Sequence, residues 1–166
     1  MAKKSEPTAG GATPATLALV QAGIEFVAHT YDHDPRAASF GMEAAEKIGI
    51  DPERVFKTLL ADVDGELVVG VVPVAGSLDL RALAAAARGK RAVMADPMLA
   101  QRRTGYVVGG ISPIGQKAAH RTFVDSSAIL CESMLVSGGR RGFDVELAPD
   151  DLLAVTGASY ADIGRP

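Results

Sequence analysis

The sequence predicts an α/β chain of the α+β type, with a mixed β-sheet and helices packed around it. Two apolar runs, VFKTLLA (55–61) and LVVGVVPV (67–74), flank Asp64–Gly65, the strongest hairpin signal in the chain. Helix starts, each a capping residue followed by proline, recur between strand-forming runs at Thr13–Pro14, Asp51–Pro52 and Asp96–Pro97. Short hairpins beside αβ units cannot share a purely parallel sheet, so the sheet must be mixed. A chain of 166 residues suits one domain that buries roughly 70% of its extended surface. We expect a flexible polar tail over 1–12 and a single domain over 13–166.

In order, the first helix follows Thr13 and stops at Gly23. IEFVAHTY (24–31) is rich in β formers, and Asp32–Pro35 breaks it. A second helix spans Phe40–Ile48, with Met42, Ala45 and Ile48 in line and Gly49 as its stop. The hairpin over 55–74 comes next, where Gly70 and Pro73 suggest a bulge, an edge or an early end. Leu80, Leu83, Ala84 and Ala87 give 79–88 an apolar helical stripe. A short strand (91–94) and a helix (98–103) precede GYVVGGISPIG (105–115). That segment reads as a strand, Tyr106–Val108, running into a rigid loop with main chain exposed at Gly109 and Gly110. The remainder reads as strands at 122–125 and 134–137, a glycine-arginine bend at 138–142, a strand at Phe143–Leu147, a helix at 149–155 and a terminal extended piece at 160–163; residues 129–131 fit either a strand or a turn.

Composition narrows the function. Seventeen basic and twenty acidic side chains leave a net charge of −3, so any nucleic-acid contact must come from a local patch. One cysteine, Cys131, excludes an intrachain disulfide and a cysteine-based metal cluster. Apolar runs are too short to span a bilayer, and the first residues lack the apolar stretch of a secretion signal. The His29–Asp34 segment holds two histidines four apart but at a strand end, with Thr30 where a zinc-protease helix needs glutamate. We expect no metal and no cofactor.

Lys57 carries the sharper signal. Strand alternation puts it on one face with Val55, Leu59 and Ala61, so its charge must snorkel to a rim or enter a pocket. In a pocket it offers a compact cation for a phosphate or a developing oxyanion. An exposed strand lysine explains the local pattern equally well. Ser112 and Ser137 sit beside glycines as loop donors without an evident histidine base, and Cys131 lies among apolar residues as a core thiol would. Arginine and lysine cluster at 88–91, 102–103, 117–121 and 140–141, without interleaved aromatics for base stacking.

The strings HTYDHDP (29–35), VFKTLLADVDGE (55–66), VVPVAGSLDL (71–80), MADPMLAQRRTGYVVGGISPIGQK (94–117) and VSGGRRGFDVELAPDDL (136–152) resemble, in order and spacing, the YbaK (EbsC-like) family of aminoacyl-tRNA deacylases. The resemblance covers nearly the whole chain after the tail. It implies a strongly curved mixed sheet, or pseudo-barrel, related to the editing domain of bacterial prolyl-tRNA synthetases. It also implies a cytoplasmic enzyme that clears cysteine from mischarged tRNA(Pro) by attack of the cysteinyl thiol on its own ester. By position, Lys57 matches the family's essential lysine and Thr58 follows it. Gly109, Gly110, Ser112 and Pro113 match one pocket loop, and Ser137, Gly138 and Gly139 a second. Asp144, Phe40 and Tyr31 match further pocket positions. The implied partners are the acceptor end of mischarged tRNA and, transiently, prolyl-tRNA synthetase, with neither DNA nor membrane. A deacylase for another mischarged tRNA, such as Ala-tRNA(Pro), and a non-catalytic module that binds aminoacyl-tRNA or synthetase are the competing readings. The segment Ala118–His120 and the length of the tail depart from the family pattern.

Overall fold

The computed structural model describes residues 11–166; most of the expected tail, with Lys3, Lys4 and Glu6, lies outside the described residues. The elements follow in the order α1 (Pro14–Gln21), β1 (Val27–Thr30), α2 (Phe40–Ile48), β2 (Phe56–Val63), β3 (Glu66–Pro73), β4 (Ser77–Leu78), α3 (Leu80–Ala86), β5 (Ala92–Met94), α4 (Pro97–Thr104), β6 (Arg121–Asp125), β7 (Met134–Arg140), β8 (Phe143–Leu147), α5 (Pro149–Thr156), β9 (Ser159–Ala161) and β10 (Gly164–Arg165). Five strands make one sheet in the order β5-β2-β3-β6-β9, and three make a second, β1-β8-β7. The larger sheet is mixed: β5, β2 and β3 are antiparallel, while β3–β6 and β6–β9 are parallel. A single parallel bridge, Val55 to Leu135, joins the two sheets.

The β2–β3 turn is the one the sequence predicts. Asp64 and Gly65 both take positive φ (50° and 94°), as a two-residue primed turn requires, and Val63 then faces Glu66. The predicted starts also hold: the Thr13, Asp51 and Asp96 side chains each accept a first-turn backbone N–H, and Ser39 and Asp79 cap α2 and α3 in the same way.

Strand β3 ends at Pro73, as the early-end reading expects, but is neither bulged nor an edge. It is central, between β2 and β6, and Gly70 pairs regularly with Leu59 and Phe123 without a bulge. A Cβ at Gly70 would stand 2.9 Å from a Leu78 methyl, so the glycine makes room for β4 to cross. Both faces of β3 are covered. Val69 and Val71 enter the main core with Phe56, Leu60, Val124 and Val136, while Val68 and Val72 pack with Leu83 and Ala84 of α3. Two buried faces explain its unbroken apolar run.

Two other segments differ from expectation. No strand forms at 106–108. Tyr106 turns inward and donates from its hydroxyl to the Ile114 carbonyl at 2.7 Å, Gly110 N closes a turn onto Val107 O, and Val107 stays exposed with no strand beside it. Residues 126–130 form a 3-10 turn capped by Asp125. The bulge falls instead in β7, where the register shifts between Ser137 and Arg140 and takes up Gly138 and Gly139. No helix among the described residues is long and apolar enough to cross a membrane.

Candidate functional site

The site begins with an interrupted sheet edge. Along its free side, β2 pairs with β5 at Ala61–Val63, and Val55, just before β2, bridges Leu135 of β7; between these points the edge pairs with no strand among the described residues. The Leu60 carbonyl on that side accepts from Ala95 N at 3.0 Å, whereas the Val55 carbonyl on the other side takes Val74 N at 2.8 Å. Main-chain polar groups alternate along a strand, so Thr58, of the same parity as Leu60, directs its N–H and C=O to the open edge. A cleft of about 370 Å³ lies there. Ala44, Ala95, Ala100 and Ile111 contribute to its apolar wall.

Seven of the residues singled out from sequence line this cleft: Tyr31, Phe40, Lys57, Thr58, Gly109, Ser137 and Asp144. They arrive on several supports. Lys57 and Thr58 come from β2, Phe40 opens α2, and Gly109 sits at the turn after α4 with φ +87°. Ser137 and Asp144 face each other across the β7–β8 pair. Asp144 also opposes His29 of β1, so it sits on the middle strand of its sheet, and 7% of it is exposed.

The other five stand behind the cleft wall. Gly110 packs so closely on the 140–141 backbone that a Cβ would come within 2.8 Å of it. Ser112 is fully buried, its hydroxyl accepting from Ile114 N at 3.2 Å and its carbonyl from Gln116 Nε2 at 2.9 Å, and Pro113 is buried beside it. At Gly138 a Cβ would stand 2.5 Å from the Phe143 ring, and its carbonyl accepts from the Thr13 hydroxyl. Gly139 has φ +111°. These five hold the two loops in place; the cleft itself touches Gly109 and Ser137.

The polar groups are unevenly satisfied. The Lys57 ammonium donates to the Gly76 carbonyl at 2.7 Å and is half-buried, and burial pulls its pKa below the usual lysine range. Thr58 Oγ1 is buried with no partner among the described residues. The Asp144 carboxyl also lacks a hydrogen-bond partner among them, and burial pushes its pKa up to about 7. Burial first, then the charges of Asp144 and Glu43, carry the Tyr31 phenol to about 12. At neutral pH the cleft thus offers a neutral phenol, one cation and a carboxyl poised between its two states.

Sequence reasoning passed over two features. The small apolar wall residues look like any core alanine, and no local signal marks them. By sequence Arg141 is one member of a basic cluster, yet its guanidinium sits over the Phe40 ring, 5.1 Å from the centroid, and its Nε donates to Val108 O at 2.9 Å. The remaining histidine candidates are engaged elsewhere: His29 with Glu146 and His33 with Glu43, at 2.8 and 2.7 Å. Cys131 lies in a separate groove.

Comparison with known proteins agrees with this geometry. A family model described as an aminoacyl-tRNA editing domain matches residues 34–155. Over 121 residues the chain is 39% identical to an Enterococcus faecalis protein named as a candidate Cys-tRNA(Pro)/Cys-tRNA(Cys) deacylase, EbsC, covering 72% of this chain and 73% of that one. Over 110 residues it is 26% identical to the uncharacterized YwhH of Bacillus subtilis, covering 66% and 70%. A solved structure described as a candidate trans-editing enzyme for prolyl tRNA synthetase superposes with a TM-score of 0.80 at 23% identity, over 97% of this chain and 99% of that one, and so shares the fold. The hypothetical protein APE2540 superposes with a TM-score of 0.82, likewise at 23% identity, over 92% and 100%. With its matched segment running from Asp34 to Val155 and its cleft at the open edge of β2, the chain belongs to the aminoacyl-tRNA editing domains of the YbaK/EbsC family.

Proposed function

We propose that this protein removes cysteine from tRNA(Pro) in the cytoplasm, with the substrate's own thiol as nucleophile. The deacylase class follows from the family; the substrate and mechanism are our reading. The observation that carries it is the make-up of the cleft, whose lining includes Lys57, Thr58, Ser137 and Asp144 but neither histidine nor cysteine. A protein serine would need an imidazole or an equivalent base to activate it. A cysteinyl ester brings its nucleophile with it.

In this reading the cysteinyl sulfur attacks the ester carbonyl, forming a C–S bond and expelling the ribose oxygen, so that a thiolactone leaves. Asp144, with a pKa of about 7, takes the thiol proton and returns it to the departing ribose oxygen. Lys57 and the main-chain edge at Thr58 stabilise charge on the carbonyl oxygen. The tight apolar wall holds sulfur and carbonyl in a reactive pose. The need for such an enzyme is physical: cysteine is close to proline in size, and a methylene-scale difference gives a synthetase only about 1–3 kcal/mol of discrimination. Prolyl-tRNA synthetase is then the natural transient partner.

The buried Asp144 also favours a second reading, in which it serves as general base for a water and the enzyme clears another amino acid, such as alanine. Pure protein incubated with Cys-, Ala-, Ser- and Pro-tRNA(Pro) separates the two. The thiol mechanism predicts fast loss of cysteine and buffer-level rates for serine, which differs at the sulfur. Release of alanine or serine at comparable rates would move the assignment to water-mediated hydrolysis, and inertness on every substrate would remove the catalytic reading.

A further inference from the structure

At the mouth of the cleft one arginine is built in more firmly than surface position requires. Arg141 is exposed, on the turn between β7 and β8, where a flexible side chain would be ordinary. Here its guanidinium lies over the Phe40 ring and its Nε is tied to the Val108 carbonyl. The ring beneath is itself supported, packing at 35° against His33 with centroids 5.5 Å apart. His33 in turn is bound through Nδ1 to the buried Glu43, which also accepts from Asp34 N at 2.7 Å. The stack therefore runs from a buried carboxylate on α2 to a cation at the rim.

Gly109 completes it. A Cβ there would stand 3.0 Å from both the Phe40 ring and Arg141 Nε, so a side chain would push the stack apart. The arginine makes no ion pair among the described residues, and its terminal nitrogens have no hydrogen-bond partner among them. Phe40, Val108 and Gly109, the residues that seat it, all line the cleft. Met94, on the cleft lining, is exposed and apolar. Lys57, the cation in the wall, spends one of its three donors on the Gly76 carbonyl, and in the proposed mechanism it serves the ester oxygen, not a phosphate. A guanidinium with its plane set and its outer N–H groups free matches a phosphate in two-pronged geometry.

Resting on the editing reading above, we propose that Arg141 is the anchor for the phosphodiester on the 5′ side of the substrate RNA's terminal nucleoside. With the aminoacyl ester inside the cleft, the ribose stands at its mouth and that phosphate is the first charge outside. Such a contact positions the RNA without reading sequence. Because the stack is already formed, little side-chain freedom is lost on binding.

The test compares two substrates that differ in that phosphate: Cys-tRNA(Pro), and cysteinyl-adenosine esterified on the ribose and lacking any phosphate. For Arg141→Gln, kcat/KM on Cys-tRNA(Pro) falls about tenfold through KM with kcat kept, and the slope of log kcat/KM against log salt is shallower by roughly 0.7, one single-strand phosphate contact. On cysteinyl-adenosine the variant equals wild type within twofold. Arg141→Lys keeps the wild-type salt slope while losing part of the affinity, since it keeps the charge but not the stacked plane. Equal losses on both substrates would show that Arg141 only shapes the cleft, and an undiminished rate on Cys-tRNA(Pro) would show no contact; either overturns the proposal. Wild-type protein inert on both substrates overturns the editing reading, and this proposal with it.

Discussion

Asp125 and Asp144 expose similarly little surface, 8% and 7%, yet Asp144 is the more deeply enclosed and their carboxyls are driven in opposite directions. Against the cost of burial, Asp125 is held below the usual carboxylate range by hydrogen bonds from the Ser127 hydroxyl and from the backbone of Gly164, Ser127 and Ile163. Asp144 has no such donors, and burial alone lifts it to about 7. The surroundings repeat the contrast. The groove beside Asp125, about 860 Å³, is larger than the cleft, and both of its arginines are engaged: Arg54 holds Glu146 and the Ser133 hydroxyl at 2.8 and 2.6 Å, and Arg165 holds Asp79 at 3.0 Å. In the smaller cleft Thr58 Oγ1 is left over, and the Asp144 carboxyl meets burial with no donor to offset it; outside the cleft His120 Nε2 is the other buried atom without a partner among the described residues. Polar groups that a fold buries without satisfying are expensive, so two of them sharing one cavity, more than volume, mark the place where a ligand belongs.

If the contrast holds, cleft variants lose chemistry and groove variants lose stability. The largest effect is expected at Lys57. Removing the charge with Lys57→Met should slow single-turnover deacylation of Cys-tRNA(Pro) by about 10²–10³-fold, or roughly 3–4 kcal/mol of transition-state stabilisation. The midpoint of urea unfolding should move little, because the methionine fills the same space. Retained activity would break the contrast, since the cation would then serve the fold through its bond to Gly76.

The two aspartates sharpen it through pH. Asp125→Ala leaves three backbone N–H groups without their acceptor and should cost about 3 kcal/mol at neutral pH. Asp125 has a lowered folded pKa, so its contribution is present above the ordinary carboxylate range and is lost as pH falls through the folded value. Asp144 has the opposite sign. With its pKa raised from 3.8 to about 7, stability is full below 3.8 and declines as pH rises toward 7. Asp144→Asn should therefore stabilise the protein at pH 8, by something on the order of 4 kcal/mol, gain nothing at pH 3, and slow deacylation. Urea unfolding of wild type and both variants across pH 3–8 reads these trends together. Parallel pH curves for wild type and Asp144→Asn would mean that the carboxyl titrates normally.

How much of this was legible beforehand follows from the range of the interactions. The Asp64–Gly65 turn, the capped helices and the mixed sheet are local or nearest-neighbour features, and the sequence carries them in plain sight. Lys57 could be narrowed to a rim or a pocket, because a charge on an apolar strand face has few other places to go. The strand expected at 106–108 failed because β formers need a neighbour to pair with, and the fold sets none beside Val107. That Ser137 and Asp144 face one another depends on the β7 bulge at Gly138–Gly139, a register detail invisible without the partner strand. The Phe40–Arg141 stack joins residues a hundred positions apart, and no periodicity predicts it.

The smallest effect expected, and the most discriminating, is at Thr58. Its hydroxyl is buried without a partner, and such a group lowers stability unless something binds it. Thr58→Val keeps the shape and the β-branch while deleting the polar atom. If the hydroxyl belongs to the substrate, the variant should be more stable than wild type by about 1 kcal/mol and several-fold slower on Cys-tRNA(Pro), with the loss in KM. A mere packing role predicts the same stability gain with the rate unchanged, which would tie the leftover polarity of the cleft to the fold. Urea unfolding and steady-state kinetics on one preparation decide between them, because only a substrate contact links a gain in stability to a loss of binding.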